Sequence, residues 1–137
     1  MRKKDKVTAS NRIEINNTIT KLSPFAQGKV VISGSHGGVL PGAIAIRKGL
    51  RGVILNDAGV GLGGSGIGAL KLCERYQMAA ATVDFMSCCI GNGQDMITRG
   101  VISAVNQVAL EVGLYVGQAC KSAAIKLLDT PQPLIDL

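Results

Sequence analysis

A repeated unit of one apolar strand, a glycine-rich turn and a helix most constrains how this chain can fold. Three segments rich in β-branched and small apolar residues, near 29–33, 52–56 and 79–85, are predicted strands, and each ends at glycine and polar residues. Strands that are apolar on both faces and alternate with helices are typical of a parallel sheet covered on both sides. We therefore predict an α/β fold: a small three-layer sandwich with a mostly parallel, Rossmann-like or flavodoxin-like sheet.

Helices are predicted after each strand from apolar spacing and end signals. We expect the first two near residues 39–48 and 67–76, and the last at about 117–128. The longest is expected at about 95–112. It is indicated by one stripe at helical spacing, which contains Ile97, Val101, Val105, Val108 and Val112.

Two polar residues of the predicted long helix lie off its apolar stripe. For Ser103 and Asn106 we favour a solvated polar face. The alternatives are a hydrogen bond to a neighbouring helix and a supporting role at the functional site.

The 137 residues suit one domain. We divide the chain into an N-terminal extension at 1–28, an α/β domain at 29–128 and a C-terminal tail at 129–137. The extension contains a basic tail and a possible edge strand or short helix. Because a sheet of three or four strands leaves an edge or a helix face open, we expect a homo-oligomer, with a stable monomer as the alternative.

Charge and composition favour a small anionic or polar metabolite as partner. The net charge is +6, but much of the excess lies in the first six residues, where we expect a solvated tail. Aromatic residues make up only 3%, so a basic and aromatic nucleic-acid surface is not expected. No apolar run reaches the roughly 20 residues of a membrane span. The segment after the basic start is too polar for a signal peptide, and we predict a cytoplasmic protein without a membrane partner.

The cysteines indicate free thiols and no metal site. Cys73, Cys88, Cys89 and Cys120 form no C-x-x-C pair, and the chain has a single histidine. This pattern matches no structural zinc set and is typical of a reducing compartment. We predict neither a metal nor a cofactor.

Polar groups cluster where the three predicted strands end. In open α/β sheets, ligands bind outside the carboxyl ends of the strands, where the strand order reverses. Segments 33–38, 56–66 and 84–93 all deliver polar residues to that edge. Their convergence is the main reason to predict a functional site there.

The first of these segments contains His36, the single histidine, between a strand and two glycines. A histidine on such a turn is available as general acid, general base or donor to an anion. The alternative is a histidine that caps the turn. Ser35 and the amides of Gly37 and Gly38, at the start of a helix, are predicted to bind an anion.

The second segment contains the G-x-G-x-x-G pattern twice between a strand and a helix. Asp84 follows about 20 residues later, where dinucleotide-binding domains place a ribose-binding acid. The chain is too short for a second nucleotide half, so we predict a phosphate or carboxylate cradle, with an empty flexible loop as the alternative. Asp57 is predicted to orient His36 or to bind a substrate hydroxyl, or else to cap the loop. The cradle residues are Gly59, Gly61 and Gly64.

The third segment places Cys88 and Cys89 just after a strand and near the start of the predicted long helix. Helix N-termini lower thiol pKa values, so Cys88 is a candidate nucleophile and Ser87 a candidate binding residue. A histidine followed about 50 residues later by a cysteine resembles the His–Cys dyad of caspase-like peptidases. The alternative is a small, buried and inert thiol.

Three motifs resemble those of an uncharacterised family of short bacterial α/β proteins. They are ISGSHGG at 32–38, ILNDAGVG at 54–61 and RGVIS-x-x-N at 99–106. The resemblance spans most of residues 29–125. It implies the α/β fold and a site at these motifs, and it implies no particular reaction.

The sequence therefore predicts an enzyme, a hydrolase or group transferase, acting on a small anionic or polar metabolite. His36 is its predicted acid or base, and Asp57 orients it. One alternative is a non-catalytic module that binds a metabolite or nucleotide or has a regulatory role. A second is a caspase-like hydrolase using His36 and Cys88.

Overall fold

The computed structural model describes residues 11–133 of the chain, which form one five-stranded sheet flanked by helices. The first four strands are parallel, and the fifth is antiparallel to the fourth. The predicted α/β sandwich with a mostly parallel sheet is confirmed. In order across the sheet the strands are β1 (Ile13–Asn16), β2 (Val30–His36), β3 (Gly52–Asn56), β4 (Ala79–Val83) and β5 (Ile102–Val105). The predicted basic tail at residues 1–6 and the last four residues of the C-terminal tail lie outside the described residues.

Helices follow most of the strands. The strand-to-strand connections carry two 3₁₀ helices, Ile19–Lys21 and Leu62–Ile67. The α-helices are α1 (Val39–Lys48), α2 (Gly68–Arg75), α3 (Gly93–Arg99), α4 (Gln107–Glu111) and α5 (Cys120–Leu127). The first two match their predicted ranges to within one residue. Within residues 11–133, no helix has the length and apolar character needed to cross a membrane.

Alternate strand residues form two separate cores, one on each face of the sheet. Val31 and Val53 pack with residues of α1 and α2 on one face. Val30 and Ile32 pack with residues of α3 and α5 on the other. Because side chains alternate along a strand, the continuous apolar runs of β2 and β3 supply both cores.

The strand order follows the chain from β1 to β5 without a reversal. Right-handed crossovers that all advance in one direction place their helices on one face, so α1 and α2 lie side by side. They approach closely: a Cβ on Gly42 would lie 2.9 Å from the Cβ of Ala69. The carboxyl ends of β1 to β4 still share one edge, but within the described sheet there is no point of reversal at which a crevice would open.

The predicted single helix at 95–112 is wrong. The chain forms α3, then β5, then α4, because Gly100 is extended (φ −63°, ψ 145°) and the side chain of Asn106 caps α4. The β-branched residues between them pair with β4. Several residues of the predicted stripe do pack against one core, but they reach it from two helices and a strand.

Asn106 is a buried tie between three elements, and the predicted solvated face is wrong for it. The side chain is 5% exposed. Its Oδ1 accepts hydrogen bonds from the amides of Ala80 (3.2 Å) and Ala109 (3.0 Å), and its Nδ2 donates to the carbonyls of Leu70 (3.2 Å) and Met78 (2.9 Å). Ser103 is also engaged, since its hydroxyl lies 3.0 Å from that of Thr82.

The substitution Asn106→Ala should lower the free energy of unfolding by about 3 kcal/mol, because it removes four buried hydrogen bonds to backbone groups. Urea unfolding followed by circular dichroism measures this. Gln107→Ala is the matched control, since Gln107 is exposed and its side chain makes only a long 3.4 Å bond to Glu111. A loss no larger for Asn106→Ala than for the control would contradict the structural role.

Two buried thiols should make stability depend on alkaline pH. Burial raises the pKa of Cys73 and of Cys120 from the ordinary 9.0 to about 12. Between these values the unfolded chain loses a proton that the folded chain keeps, so stability falls as pH rises. Each thiol should contribute about 1.4 kcal/mol per pH unit to that fall. Cys73→Ala should make the slope shallower above pH 9 in urea titrations, whereas Gln107→Ala, which removes no titratable group, should leave it unchanged.

Candidate functional site

The three predicted polar segments meet at the carboxyl edge of the sheet. The amide of Gly37 donates to the carbonyl of Asn56 (2.7 Å), which joins the first segment to the second. The amide of Phe85 donates to Asp57 Oδ1 (3.1 Å), which joins the second to the third. The edge is therefore one continuous surface built from the ends of β2, β3 and β4.

His36 is the last residue of β2 and is exposed. Its Nδ1 accepts a hydrogen bond from the amide of Gly38 at 3.1 Å. Nδ1 is therefore unprotonated in this arrangement, and the neutral ring carries its proton on Nε2. Nε2 has no partner among residues 11–133, so a donor is presented beside the start of α1.

The amides of Gly37 and Gly38, predicted to bind an anion, are already used inside the protein by Asn56 and His36. The next amides, those of Val39 and Leu40, have no acceptor in the part of the chain that the structure describes. Gly38 is the N-cap residue and offers no side-chain cap. The open donors at this helix start therefore lie one residue further along than predicted.

Ser35 holds the β1–β2 connection in place. Its hydroxyl accepts the amide of Ile19 at 2.8 Å and lies 3.4 Å from the hydroxyl of Thr18. The hydroxyl thus has a structural partner on the side of β1. Its predicted role in anion binding stays a prediction.

Asp57 caps the loop that follows β3. Its side chain is 4% exposed, and Oδ1 accepts the amides of Gly59 (2.8 Å) and Phe85 (3.1 Å). No described hydrogen bond joins it to His36, so the structure does not pair these two predicted catalytic residues. The geometry matches the loop-capping alternative.

In the glycine loop, two of the three amides predicted to form a cradle are used inside the loop, and that of Gly61 has no acceptor among the described residues. The amide of Gly59 binds Asp57, that of Gly64 binds Gly61, and that of Gly66 binds the carbonyl of Val60. Four consecutive residues, Ala58 to Gly61, have positive φ values between 51° and 77°. Val60 is among them at 69°, which for a β-branched side chain costs about 1–3 kcal/mol. Its side chain is 39% exposed at the edge.

Cys88 is buried among core residues and is poorly suited to act as a nucleophile. It is 7% exposed, and burial raises the pKa of its thiol above the ordinary value, which leaves little thiolate at neutral pH. Its Sγ lies 4.0 Å from Asn56 Nδ2. Ser87, predicted to bind a ligand, donates to the carbonyl of Asp84 (2.6 Å) and accepts the amide of Val101 (3.0 Å).

Cys89 is exposed and lies in a small charged cluster that the sequence analysis did not single out. Asp95 accepts the Cys89 amide at 2.6 Å and two bonds from Arg99, at 2.8 and 2.9 Å. These bonds from Arg99 hold the pKa of Asp95 well below its ordinary value. The sequence signal for this cluster was the spacing of four residues between Asp95 and Arg99, which brings two side chains together on a helix. Both residues lay in the predicted long helix, but the prediction did not distinguish this pair.

Asn16, at the carboxyl end of β1, was also missed. Both polar atoms of its carboxamide are buried and lack a hydrogen-bond partner within the described residues. Buried amides are normally paired, so this unpaired carboxamide is an exception among the polar groups of the edge. The available signal was its position at the end of a fourth strand, since β1 had been predicted only as a possible edge strand.

Comparison with known proteins gives no further guide to this edge. No protein-family model matches the chain, and no curated protein or solved structure is significantly similar to it. Across residues 11–133, no group of three or more histidine, cysteine, aspartate or glutamate side chains is placed to hold a metal ion.

Thiol reactivity distinguishes the environments of the two adjacent cysteines. We expect iodoacetamide at pH 7 to modify Cys89 first, because its side chain is exposed, and to modify Cys88 slowly, because its thiol is buried and little ionised. Mass spectrometry of the native protein measures this, and Cys89→Ser should remove the fast reaction. Rapid, stoichiometric modification of Cys88 below pH 7 would instead support the His36–Cys88 hydrolase.

Proposed function

We propose that the carboxyl edge of the sheet binds a small anionic or polar metabolite and that His36 contacts it. The observation that carries this proposal is the hydrogen bond from the Gly38 amide to His36 Nδ1. It sets the exposed imidazole beside the start of α1 and leaves Nε2–H as a donor.

The local charge supports an anionic ligand. The first turn of α1 has no acidic residue and no side-chain cap, so its positive end is not neutralised. The buried carboxylate of Asp57 is occupied by two backbone amides. A bound anion would therefore accept hydrogen bonds from the imidazole of His36 and from the amides of Val39 and Leu40.

Catalysis by the same site is a second candidate. The exposed Nε2 of His36 supports a role as general acid or base in hydrolysis or group transfer. The arrangement supports this less well than binding, because Asp57 does not bond His36 and the Cys88 thiol is buried. A reaction here would use water or a second substrate as the nucleophile.

We further propose a cytoplasmic homo-oligomer. The four cysteines are unbridged, which suits a reducing compartment. Tyr115 and Val116 are 58% and 63% exposed on the loop before α5, and such neighbouring apolar side chains are typical of a contact surface.

The site is tested by binding of inorganic phosphate, nucleoside monophosphates, sugar phosphates and small dicarboxylates, followed by thermal shift and then calorimetry. For any compound that stabilises the protein, His36→Ala should weaken binding at least about tenfold, the equivalent of 1.4 kcal/mol. It should leave the melting temperature of the free protein nearly unchanged, since His36 is exposed.

His36→Gln is the matched variant, because its amide retains a donor and should keep part of the affinity. Unchanged binding by His36→Ala would place the ligand elsewhere. Conversion of a bound compound to product, lost in His36→Ala, would support the enzymatic candidate, and binding without product would support a metabolite-binding module.

A further inference from the structure

A groove of about 580 Å³ runs between α2 and β5, away from His36. Ile67 and Leu70 form one wall, and Ala104 of β5, on the same face of the sheet, lies opposite them. His36 ends β2, and β3 and β4 lie between β2 and β5. At the usual spacing of neighbouring strands, β5 lies about 14 Å from β2. The α2 side of the groove is nearer to the start of α1, since a Cβ on Gly68 would lie 3.4 Å from the Val39 nitrogen. The volume of the groove falls in the range of small-molecule sites.

The order of the strands explains why this space is open. The helices α1 and α2 cover the face of β2 to β4, and β5 is added at the end of the sheet by an antiparallel connection. Ala104 is paired with Thr82 on the same face, yet it stays only partly buried at the margin of that core. Because its side chain is small, Ala104 leaves open space above this part of the sheet, which forms the floor of the groove.

Most polar groups along the groove are already satisfied. Asn106 uses both carboxamide atoms in four backbone hydrogen bonds. Glu74 accepts the amide of Gln107 at 2.6 Å, which closes the groove at the end of α2. A ligand therefore meets an aliphatic floor with few free acceptors.

Lys71 supplies the positive charge of the groove, and Glu74, the other charged residue of its lining, accepts the amide of Gln107. Lys71 is exposed on α2, and no carboxylate in residues 11–133 forms an ion pair with it. At the opposite end, Gly63 and Gly64 leave the entrance clear, since a Cβ on Gly63 would meet nothing within 4 Å. The groove thus combines an apolar floor, an open entrance and the ammonium group of Lys71, which forms no ion pair within the described residues.

We propose that this groove is a second ligand site, independent of the His36 edge, that takes a small amphipathic carboxylate. The apolar body of the ligand lies on Ile67, Leu70 and Ala104, and its carboxylate pairs with Lys71. A neutral apolar compound forfeits the ion pair, and a small carboxylate without an apolar body forfeits the burial of apolar surface.

Calorimetry on the full chain with hexanoate, hexanol and acetate tests both parts of this proposal. We expect saturable binding of one hexanoate per chain, with hexanol and acetate at least about tenfold weaker. Lys71→Gln should reduce hexanoate to the affinity of hexanol, and Lys71→Glu should weaken it further by repulsion. Lys121→Gln, at an exposed lysine of α5, is the matched control and should leave binding unchanged.

Two further variants locate the ligand. Ala104→Leu fills the floor and should abolish binding of hexanoate, and the Lys71 variants, at an exposed position, decide the matter if that protein fails to fold. His36→Ala should leave hexanoate binding intact, so failure at this groove and failure at the His36 edge are distinguished.

Three results would overturn the proposal. The first is hexanoate binding that Lys71→Gln leaves unchanged, and the second is hexanoate binding that His36→Ala abolishes. The third is a dimer in sedimentation equilibrium that Ala104→Leu dissociates, because a second copy of the chain would then cover the groove.

Discussion

The carboxamide of Asn106 holds together the part of the molecule where the fold departs from simple repetition. Up to β4, strands and helices alternate along the chain. After the antiparallel β5, the helix α4 has to begin at a defined position. Asn106 fixes that position by bonding the start of β4, the carbonyl of Leu70 in α2 and the first turn of α4. A residue of the same size without both a donor and an acceptor cannot make these contacts. The position of β5, and with it the groove beside α2, depends on this one side chain.

The sequential strand order has two opposite consequences for function. It brings the ends of four parallel strands to one edge, so residues far apart in the chain become neighbours there. It also gives that edge no reversal point at which a crevice would open. The groove instead lies at the side of the sheet, between α2 and β5.

Sequence predicted the elements that depend on local chemistry. The apolar runs of β2, β3 and β4 and the glycine that ends α1 are signals carried by neighbouring residues, and the structure has them nearly as expected. The segment 95–112 failed because valine and isoleucine suit both a helix stripe and a strand, and only pairing with β4 decides between them. The structure brings the three predicted polar segments together at the strand ends, but the hydrogen-bond partners of their groups were not predictable. Which acceptor takes the Gly37 amide, or which donors occupy Asp57, is set by loops that meet only in three dimensions.

The glycines make one side of the carboxyl edge more rigid than the other. Beside β1, a Cβ on Gly34 would lie 2.6 Å from the carbonyl oxygen of Asn17, and one on Gly93 would collide with Asn16. Even a methyl side chain would not fit at these two positions unless the backbone on both sides moved. Beside β3, the left-handed run at Val60 stores strain and borders open space at Gly63. A molecule that binds at this edge contacts rigid backbone beside β1. Any change of shape that fits the molecule therefore comes from the loop beside β3.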